Sequence, residues 1–156
     1  MRQILLLTFL FVCLQVYPQD EIHGRSVRVA DGDTFTLLDD NNVQHRIRLE
    51  GIDAPEQGQA FGNRSREYLS NLIVGKRLKA TYKEKDRYGR ILGKVSTDSI
   101  KDINLEMIKA GMAWHYSYYN KEEEYAEVHE QAKKSRAGLW IDKNPINPYE
   151  WRKGKR

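Results

Sequence analysis

Short runs of alternating polar and apolar residues dominate the first two thirds of the chain. The runs fall at residues 27–29, 34–37, 46–49, 79–82 and 91–96. Alternation with a period of two is typical of strands with one buried face. Turn residues separate the runs, with the cluster Asp39–Asn42 after the second run and Asp86–Gly89 after the fourth. The pattern therefore predicts five short strands.

Helix signals lie between and after these strands. Asn63 is placed to cap a helix that ends at Gly75, between the third and fourth strands. A second helix is expected at about Asn104–Ala110 and a third at about Lys121–Lys134. Five short strands with a helix after the third are typical of a small closed Greek-key barrel of the oligonucleotide-binding (OB) type. We predict an α+β fold, a five-stranded Greek-key OB-fold β-barrel with three α-helices.

The first residues differ in composition from the rest. A basic start at Arg2 precedes the apolar run Ile4–Val12, and polar residues follow at Gln19-Asp20. The run is too short for a comfortable membrane span, and the pattern is typical of a secretory signal peptide. We predict a signal peptide over 1–19 and one domain over 20–156 with a short basic C-terminal tail, in a secreted or periplasmic protein. A buried first strand or an uncleaved anchor is the alternative.

The charge balance suggests a polyanionic partner. Loss of the predicted signal peptide removes Arg2 from the 26 basic residues and none of the 22 acidic ones, which leaves a net charge of +3 and no cysteine. Basic side chains are concentrated in 76–90 and again in 152–156. A basic excess favours association with polyanions, although an excess of this size is by itself a weak indication.

Three carboxylates and two guanidiniums lie in segments that the strand pattern brings together. They are Asp33, Asp53, Glu56, Arg48 and Arg90. With the turn of the second hairpin centred near Asn41, residue 34 should face residue 48, which places Asp33 beside Arg48. Gly51 can break the strand that follows, so Asp53 and Glu56 come only a few residues later. Asp33 and Asp53 should therefore converge at one edge of the barrel.

The residue types at this edge indicate a hard metal ion. Two aspartates with backbone carbonyls and water suit Ca²⁺ or Mg²⁺. The four histidines lie outside these segments, and the predicted mature chain has no cysteine, which disfavours zinc. Asp31, next to Gly32, is expected to shape the turn. Either Asp33 or Asp53 alone would be read as a cap or as an ion-pair partner of the neighbouring arginines.

Several segments resemble the staphylococcal nuclease (thermonuclease) family. They are Val29–Thr34, Arg48–Glu56, Asp86–Arg90, Asn104-Leu105 before Gly111–Ala113, and Ala137–Trp140. The similarity runs in order from about residue 26 to residue 140. The resemblance implies an OB-fold barrel, Ca²⁺-dependent hydrolysis of DNA and RNA to 3′-phosphate products, and frequent secretion. DNA and RNA are thus the expected partners.

The resemblance also implies metal ligands. Asp33 and Asp53 match the calcium-binding carboxylates of the family. Ala54 stands where the family often has Thr, and it offers a main-chain carbonyl to the metal. The carbonyl ligand survives this change, whereas a hydroxyl that could orient water is lost.

Three further residues match the catalytic groups of the family. Glu56 matches the proposed general base, which takes a proton from the attacking water. Arg48 and Arg90 match the two catalytic arginines, whose planar forks suit phosphate oxygens. Arg90 is expected to act electrostatically, because a guanidinium effectively never loses its proton at neutral pH.

Substrate contacts are expected from the aromatic stretch after Trp114. The nucleotide-flanking tyrosines of the family map to 116–119, where Tyr119 is the best single match. Tyr118 and Arg87 are further candidates for substrate binding. For Tyr116, packing in the core beside Trp114 is the alternative.

Two other classes of protein share this fold. A non-catalytic OB-fold module would bind nucleic acid by stacking and charge, and an extracellular interaction domain would keep only the fold. A degenerate member would be expected to lack one of the carboxylates or arginines, and none is missing. We expect a monomer with no stable protein partner and no permanent membrane span. The segment Pro145–Trp151 has no motif, so it should pack back on the barrel and leave its basic end in solvent.

Overall fold

Five strands close into a barrel in this computed structural model, which describes residues 19–155. Within these residues the strands in chain order are β1 (Asp20–Val29), β2 (Thr34–Asp39), β3 (Gln44–Leu49), β4 (Ile52–Asp53), β5 (Leu78–Lys85), β6 (Ile91–Thr97) and β7 (Trp114–His115). The barrel order is β1-β2-β3-β6-β5, closed by pairing of β5 with β1. Neighbouring barrel strands are antiparallel except for β3 and β6, which are parallel. The prediction of a five-stranded OB-type barrel is confirmed.

Helices connect and follow the barrel strands. Within residues 19–155 they are α1 (Gly62–Ile73), α2 (Ile103–Lys109), α3 (Glu123–Lys134), a 3₁₀ helix (Gly138–Ile141) and α4 (Pro148–Arg152). The first three are the predicted α-helices, and α4 is an addition that the sequence analysis missed. The predicted cap at Asn63 is wrong, because α1 begins at Gly62 behind Phe61, which has a left-handed φ of 68°. Asn63 is therefore inside the first turn.

The core fills the barrel and the space beneath α1 and α2. Its fully buried large side chains come from the barrel strands, β4, the helices α1 and α2, and Tyr125 of α3. They are Phe35, Leu37, Ile47, Leu49, Ile52, Leu69, Ile73, Leu78, Ile91, Ile103, Met107 and Tyr125. Burial of one such side chain contributes roughly 1.5–3 kcal/mol, so the barrel holds its shape without disulfides.

A two-stranded sheet outside the barrel fixes the segment that follows β3. β4 pairs with β7, and Asp53 lies opposite Trp114 in this pairing. Gly51 makes the turn into β4 with a φ of 75°, and a Cβ at this position would lie 2.7 Å from the Cβ of Asn120. Because both the conformation and the close approach favour glycine, the backbone of Asp53 is held in a defined position.

The predicted signal peptide lies outside the described residues, apart from its last residue, Gln19. The domain boundary at residue 20 therefore stays a prediction. Between residues 19 and 155, no helix is long and apolar enough to cross a membrane.

Candidate active site

Arg48 joins the two aspartates that were predicted to converge. Its guanidinium lies 2.9 Å from Asp33 Oδ2 and 3.0 Å from Asp53 Oδ1. Both carboxylates are buried, since the side chain of Asp33 is 9% exposed and that of Asp53 is 3% exposed. The same guanidinium donates a hydrogen bond of 3.0 Å to the carbonyl oxygen of Ile52. The structure thus places both carboxylates around one partly buried positive charge.

The pairing of β2 with β3 sets this arrangement. Thr34 lies opposite Arg48, as predicted, and the Leu49 N–H donates to the carbonyl oxygen of Asp33 at 2.8 Å. The Thr34 hydroxyl donates to Asp33 Oδ1 at 3.0 Å, and the Ala54 N–H donates to Asp33 Oδ2 at 2.8 Å. The carboxylate of Asp33 is therefore held by its neighbour Thr34 and by Ala54, which follows the turn at Gly51.

The turn before β2 packs closely against α1. Asp31 accepts a hydrogen bond of 3.0 Å from the Asp33 N–H, which is the turn role predicted for it. A Cβ at Gly32 would lie 1.8 Å from Ser65 Oγ, so the approach of this turn to α1 requires glycine. Burial and the nearby charge of Asp33 raise the pKa of Asp31 to about 7. The site thus gathers acidic groups in a place poorly reached by water.

Glu56 reaches the solvent side of the same site. Its backbone N–H donates to Gln59 Oε1 at 3.0 Å, and the Gln59 N–H donates back to the carbonyl oxygen of Glu56 at 3.0 Å. This closed turn is the compact loop between β4 and α1. The carboxylate of Glu56 is 34% exposed and lies 2.6 Å from Arg152, not beside Arg48.

Arg90 approaches the site from the hairpin between β5 and β6. Its Nε donates to Asp86 Oδ2 at 2.8 Å, and one terminal nitrogen lies 3.5 Å from Thr34 Oγ1. Burial would raise the pKa of Asp86, but hydrogen bonds from the backbone and side chain of Arg90 and from the Tyr88 N–H lower it. Arg90 is thus oriented by Asp86 and linked to Asp33 through the Thr34 hydroxyl.

Arg152 is the residue of the site that sequence analysis missed. Arg152 is exposed, as expected for the basic end of the tail, but α4 also directs its guanidinium onto Asp53 and Glu56. Asn147 caps α4 by accepting from the Tyr149 N–H, and Pro148 follows it in the first turn. The Asn-Pro pair was a signal for a helix start, but no local pattern indicates that Arg152 contacts residues so far away in the sequence.

Charge and burial act in opposite directions on Asp53 and Arg152. Burial raises the pKa of Asp53 above its ordinary value, although the hydrogen bonds from Arg152 and the charge of Arg48 lower it. Burial would lower the pKa of Arg152, yet the hydrogen bonds to Asp53 and Glu56 raise it. Asp53 therefore depends on nearby cations to keep its charge.

The candidate substrate residues lie beside the site on the surface. Tyr118 and Tyr119 are 76% and 65% exposed, with ring centroids 4.8 Å apart. Tyr116 is half-buried, and its N–H donates to the carbonyl oxygen of Gly51 at 2.8 Å, which places this aromatic stretch next to β4. Arg87 is exposed and lies over the ring of Tyr88, at 4.8 Å from the centroid.

The carboxylates of Asp33, Asp53 and Glu56 form ion pairs with arginines. Among residues 19–155, no three or more His, Cys, Asp or Glu side chains form a group that could hold a metal. Of the three predicted metal ligands, Asp33 and Asp53 converge on Arg48, and Ala54 is buried beside them. Ala54 contacts Asp33 through its N–H. The assignment of its carbonyl to a metal stays a prediction.

Comparisons with known proteins identify the family. Residues 46–142 match the model of the family described as staphylococcal nuclease homologue. An uncharacterized endonuclease of Haemophilus influenzae is 42% identical over 154 residues, which cover 97% of this chain and 86% of the relative. A micrococcal nuclease of Shigella flexneri is 40% identical over 146 residues, covering 87% and 83% of the two chains. The chain therefore belongs to the staphylococcal nuclease family of phosphodiester hydrolases, as its sequence motifs predicted.

Proposed function

We propose that this nuclease hydrolyses phosphodiester bonds of both DNA and RNA with Ca²⁺ as its cofactor. The observation that carries the proposal is the contact of one partly buried guanidinium, that of Arg48, with both Asp33 and Asp53. Two anionic oxygen donors that converge on a cationic group fit a hard divalent ion, which would take further ligands from the Ala54 carbonyl and water. Bound Ca²⁺ would supply Lewis-acid neutralisation of charge on a phosphoryl oxygen.

Glu56 is the proposed general base. Its carboxylate is one-third exposed at the solvent side of Asp53, where an attacking water can reach it. Proton transfer requires that this water lie within about 2.6–3.2 Å of the carboxylate. The turn closed by Gln59 fixes the backbone of Glu56 and so limits the positions of its side chain.

Arg48 and Arg90 are proposed to bind the phosphate and stabilise the charge that develops on it. Asp86 accepts the hydrogen bond of Arg90 Nε. The two terminal nitrogens of Arg90 then form the side of the guanidinium that can bind two phosphate oxygens. Arg48 is less accessible, because its side chain is 13% exposed and already contacts two carboxylates and two backbone carbonyls. Preorganised donors of this kind are worth roughly 10²–10³ in rate each.

We infer that substrate recognition is independent of base sequence. Exposed aromatic rings such as Tyr118 and Tyr119 can stack on any base, and Arg48 and Arg90 are proposed to bind phosphate, which carries no sequence information. Single-stranded or frayed nucleic acid should be preferred, since its bases are free to stack. The predicted signal peptide supports a secreted or periplasmic enzyme, and the family resemblance supports 3′-phosphate products.

Digestion of plasmid DNA and of a structured RNA tests the proposal. Both substrates should be degraded with Ca²⁺ and neither with EGTA, and Mg²⁺ should support less activity because it demands tighter octahedral geometry. Oligonucleotide products should become extendable by a polymerase only after phosphatase treatment, as 3′-phosphate ends require. Full activity in excess chelator, or inactivity on RNA, contradicts the proposal. Binding of nucleic acid without any cleavage would instead favour the non-catalytic OB-fold module.

A further inference from the structure

The C-terminal helix places a second guanidinium on the outer side of Asp53. Arg152 lies 3.2 Å from Asp53 Oδ1, 2.9 Å from Asp53 Oδ2 and 2.6 Å from Glu56 Oε1. The side chain of Arg152 is 41% exposed, whereas that of Arg48 is 13% exposed. Arg48 therefore approaches Asp53 from the protein interior and Arg152 from the solvent side. An ion that comes from solution meets Arg152 before it can reach Asp53.

The charges at the site are consistent with Arg152 taking the position of a metal ion. Asp33, Asp53 and Glu56 carry three formal negative charges, and Arg48 and Arg152 offset two of them. Without Arg152 the formal charge of the group falls to −2, which is the charge that a divalent cation neutralises. Since like charges repel, Arg152 and a divalent cation on Asp53 should exclude each other.

The segment that carries Arg152 is attached through a few polar contacts and through Pro148, which is buried. α4 has five residues, and a helix of this length is not stable by itself. Gln59 donates from its side-chain amide to the carbonyl oxygen of Ile146 at 2.6 Å, next to the ion pairs of Arg152. Local opening of such a terminal segment needs far less free energy than unfolding of the barrel.

We propose that Arg152 is a tethered competitor of the catalytic divalent cation, so that the C-terminal segment 142–155 closes the site without metal and leaves it when Ca²⁺ binds. This inference rests on the proposed function, because it takes Asp53 as a metal ligand and Glu56 as the base. It adds an autoinhibitory contact that sets the Ca²⁺ concentration at which the enzyme becomes active. Glu56 cannot accept a proton from water efficiently while it is paired with a guanidinium, so closure should block both the metal and the base.

Calorimetric titration of Ca²⁺ into the purified chain, without substrate, tests the competition. Arg152→Gln should lower the Kd for Ca²⁺ by about 5- to 150-fold, the usual range of coupling between two sites. Lys153→Gln is the matched control, because it removes one positive charge from the same segment, where Lys153 lies over the ring of Tyr149 at 4.3 Å. Its Kd should equal that of the wild type. An equal or weaker Kd in Arg152→Gln overturns the competition.

Limited digestion with a lysine-specific protease tests the release of the segment. Ca²⁺ should accelerate cleavage after Lys153 in the wild type, measured by mass spectrometry against cleavage after the exposed Lys109 of α2. In Arg152→Gln, cleavage after Lys153 should already be fast without Ca²⁺ and change little when it is added. Cleavage after Lys153 that is unaffected or slowed by Ca²⁺ in the wild type overturns the release.

The two proposals fail in different ways. If wild type and Arg152→Gln bind Ca²⁺ equally and the wild type still cleaves nucleic acid with Ca²⁺, the autoinhibitory contact is wrong and the nuclease proposal stands. If neither protein binds Ca²⁺, both the proposed cofactor and the competition are wrong. Melting temperatures of both variants show whether they are folded, which keeps each result interpretable.

Discussion

Thr34 lies directly opposite Arg48 in the β2–β3 pairing, and both side chains contact the carboxylate of Asp33. The Thr34 hydroxyl reaches Oδ1 at 3.0 Å and the Arg48 guanidinium reaches Oδ2 at 2.9 Å. Arg90 joins the same group through Thr34 Oγ1. A shift of the hairpin register by one residue would turn these side chains to the other face. The geometry of the site is therefore a direct consequence of the register that closes the barrel.

Arg48 should contribute to stability as well as to catalysis. Arg48→Gln removes the positive charge that contacts both Asp33 and Asp53 and leaves the two carboxylates buried. Loss of one partner of a buried ion pair typically costs about 3–5 kcal/mol. We expect the free energy of unfolding in urea at pH 7 to fall by about this amount. Arg77→Gln is the control, because Arg77 pairs with Asp40 on the exposed surface. Its loss should change the free energy of unfolding little.

A double variant separates this electrostatic effect from lost packing. Adding Asp53→Asn to Arg48→Gln removes one of the two carboxylates that Arg48 bridges, so part of the stability should return. If the double variant is less stable than Arg48→Gln by the full effect of Asp53→Asn alone, the two residues are not coupled and the interpretation of Arg48 as their counter-charge is wrong.

Asp53 should be essential for metal binding. Asp53→Asn keeps the shape of the side chain but removes the negative charge, so the Kd for Ca²⁺ measured by calorimetry should rise by at least about tenfold. Asp39→Asn is a matched control, because Asp39 pairs with His45 at 2.8 Å outside the site. Unchanged Ca²⁺ binding in Asp53→Asn would show that the metal binds elsewhere.

Glu56 and Arg90 should act mainly on turnover. Glu56→Gln keeps the shape but is a far weaker proton acceptor, so kcat should fall by roughly 10²–10⁴, the usual contribution of a general base. Arg90→Lys keeps the charge but loses the two-nitrogen edge, and kcat should fall by roughly 10²–10³. If Glu56→Gln keeps a near-normal kcat, the assignment of Glu56 as the general base is wrong.

The sequence predicted the barrel because its signals are local. The alternation at 34–37 and 46–49 encodes both strands, and the turn between them fixes which residues face each other. The convergence of Asp33 with Arg48 and Asp53 follows from that register and a single turn at Gly51. Each of these features depends on residues close together in the chain, where periodicity and turn chemistry carry the information.

Arg152 could not be predicted in the same way. It lies 99 residues from Asp53 in the sequence, and a basic residue near a chain end is ordinarily solvated. Its position depends on how α4 docks against the loop after β4, which is a tertiary contact without a periodic signature. The start of α1 behind Phe61 was missed for a related reason, because a left-handed residue other than glycine leaves no trace in composition.

A buried histidine away from the site should make stability depend on pH. His129 of α3 lies among Trp114, Trp140 and His115, with ring centroids 6.0, 5.1 and 6.2 Å away. Its Nε2 is buried and has no hydrogen-bond partner among the described residues 19–155. Burial, with the charge of nearby Lys133, lowers the pKa of His129 to about 4, against the opposing effect of Glu130. The folded protein therefore favours the neutral ring.

The sign of the pH effect follows from this lowered pKa. Above the unfolded pKa of about 6.5 the ring is neutral in both states, so folding is not penalised. As the pH falls from about 6.5 to about 4, the unfolded chain takes up a proton that the folded one does not, and stability is lost. At pH 4.5 the loss should be about 2–3 kcal/mol. His129→Phe should reduce the fall in unfolding free energy between pH 7.5 and 4.5 by this amount. Equal slopes in wild type and His129→Phe would show that other groups govern the acid sensitivity.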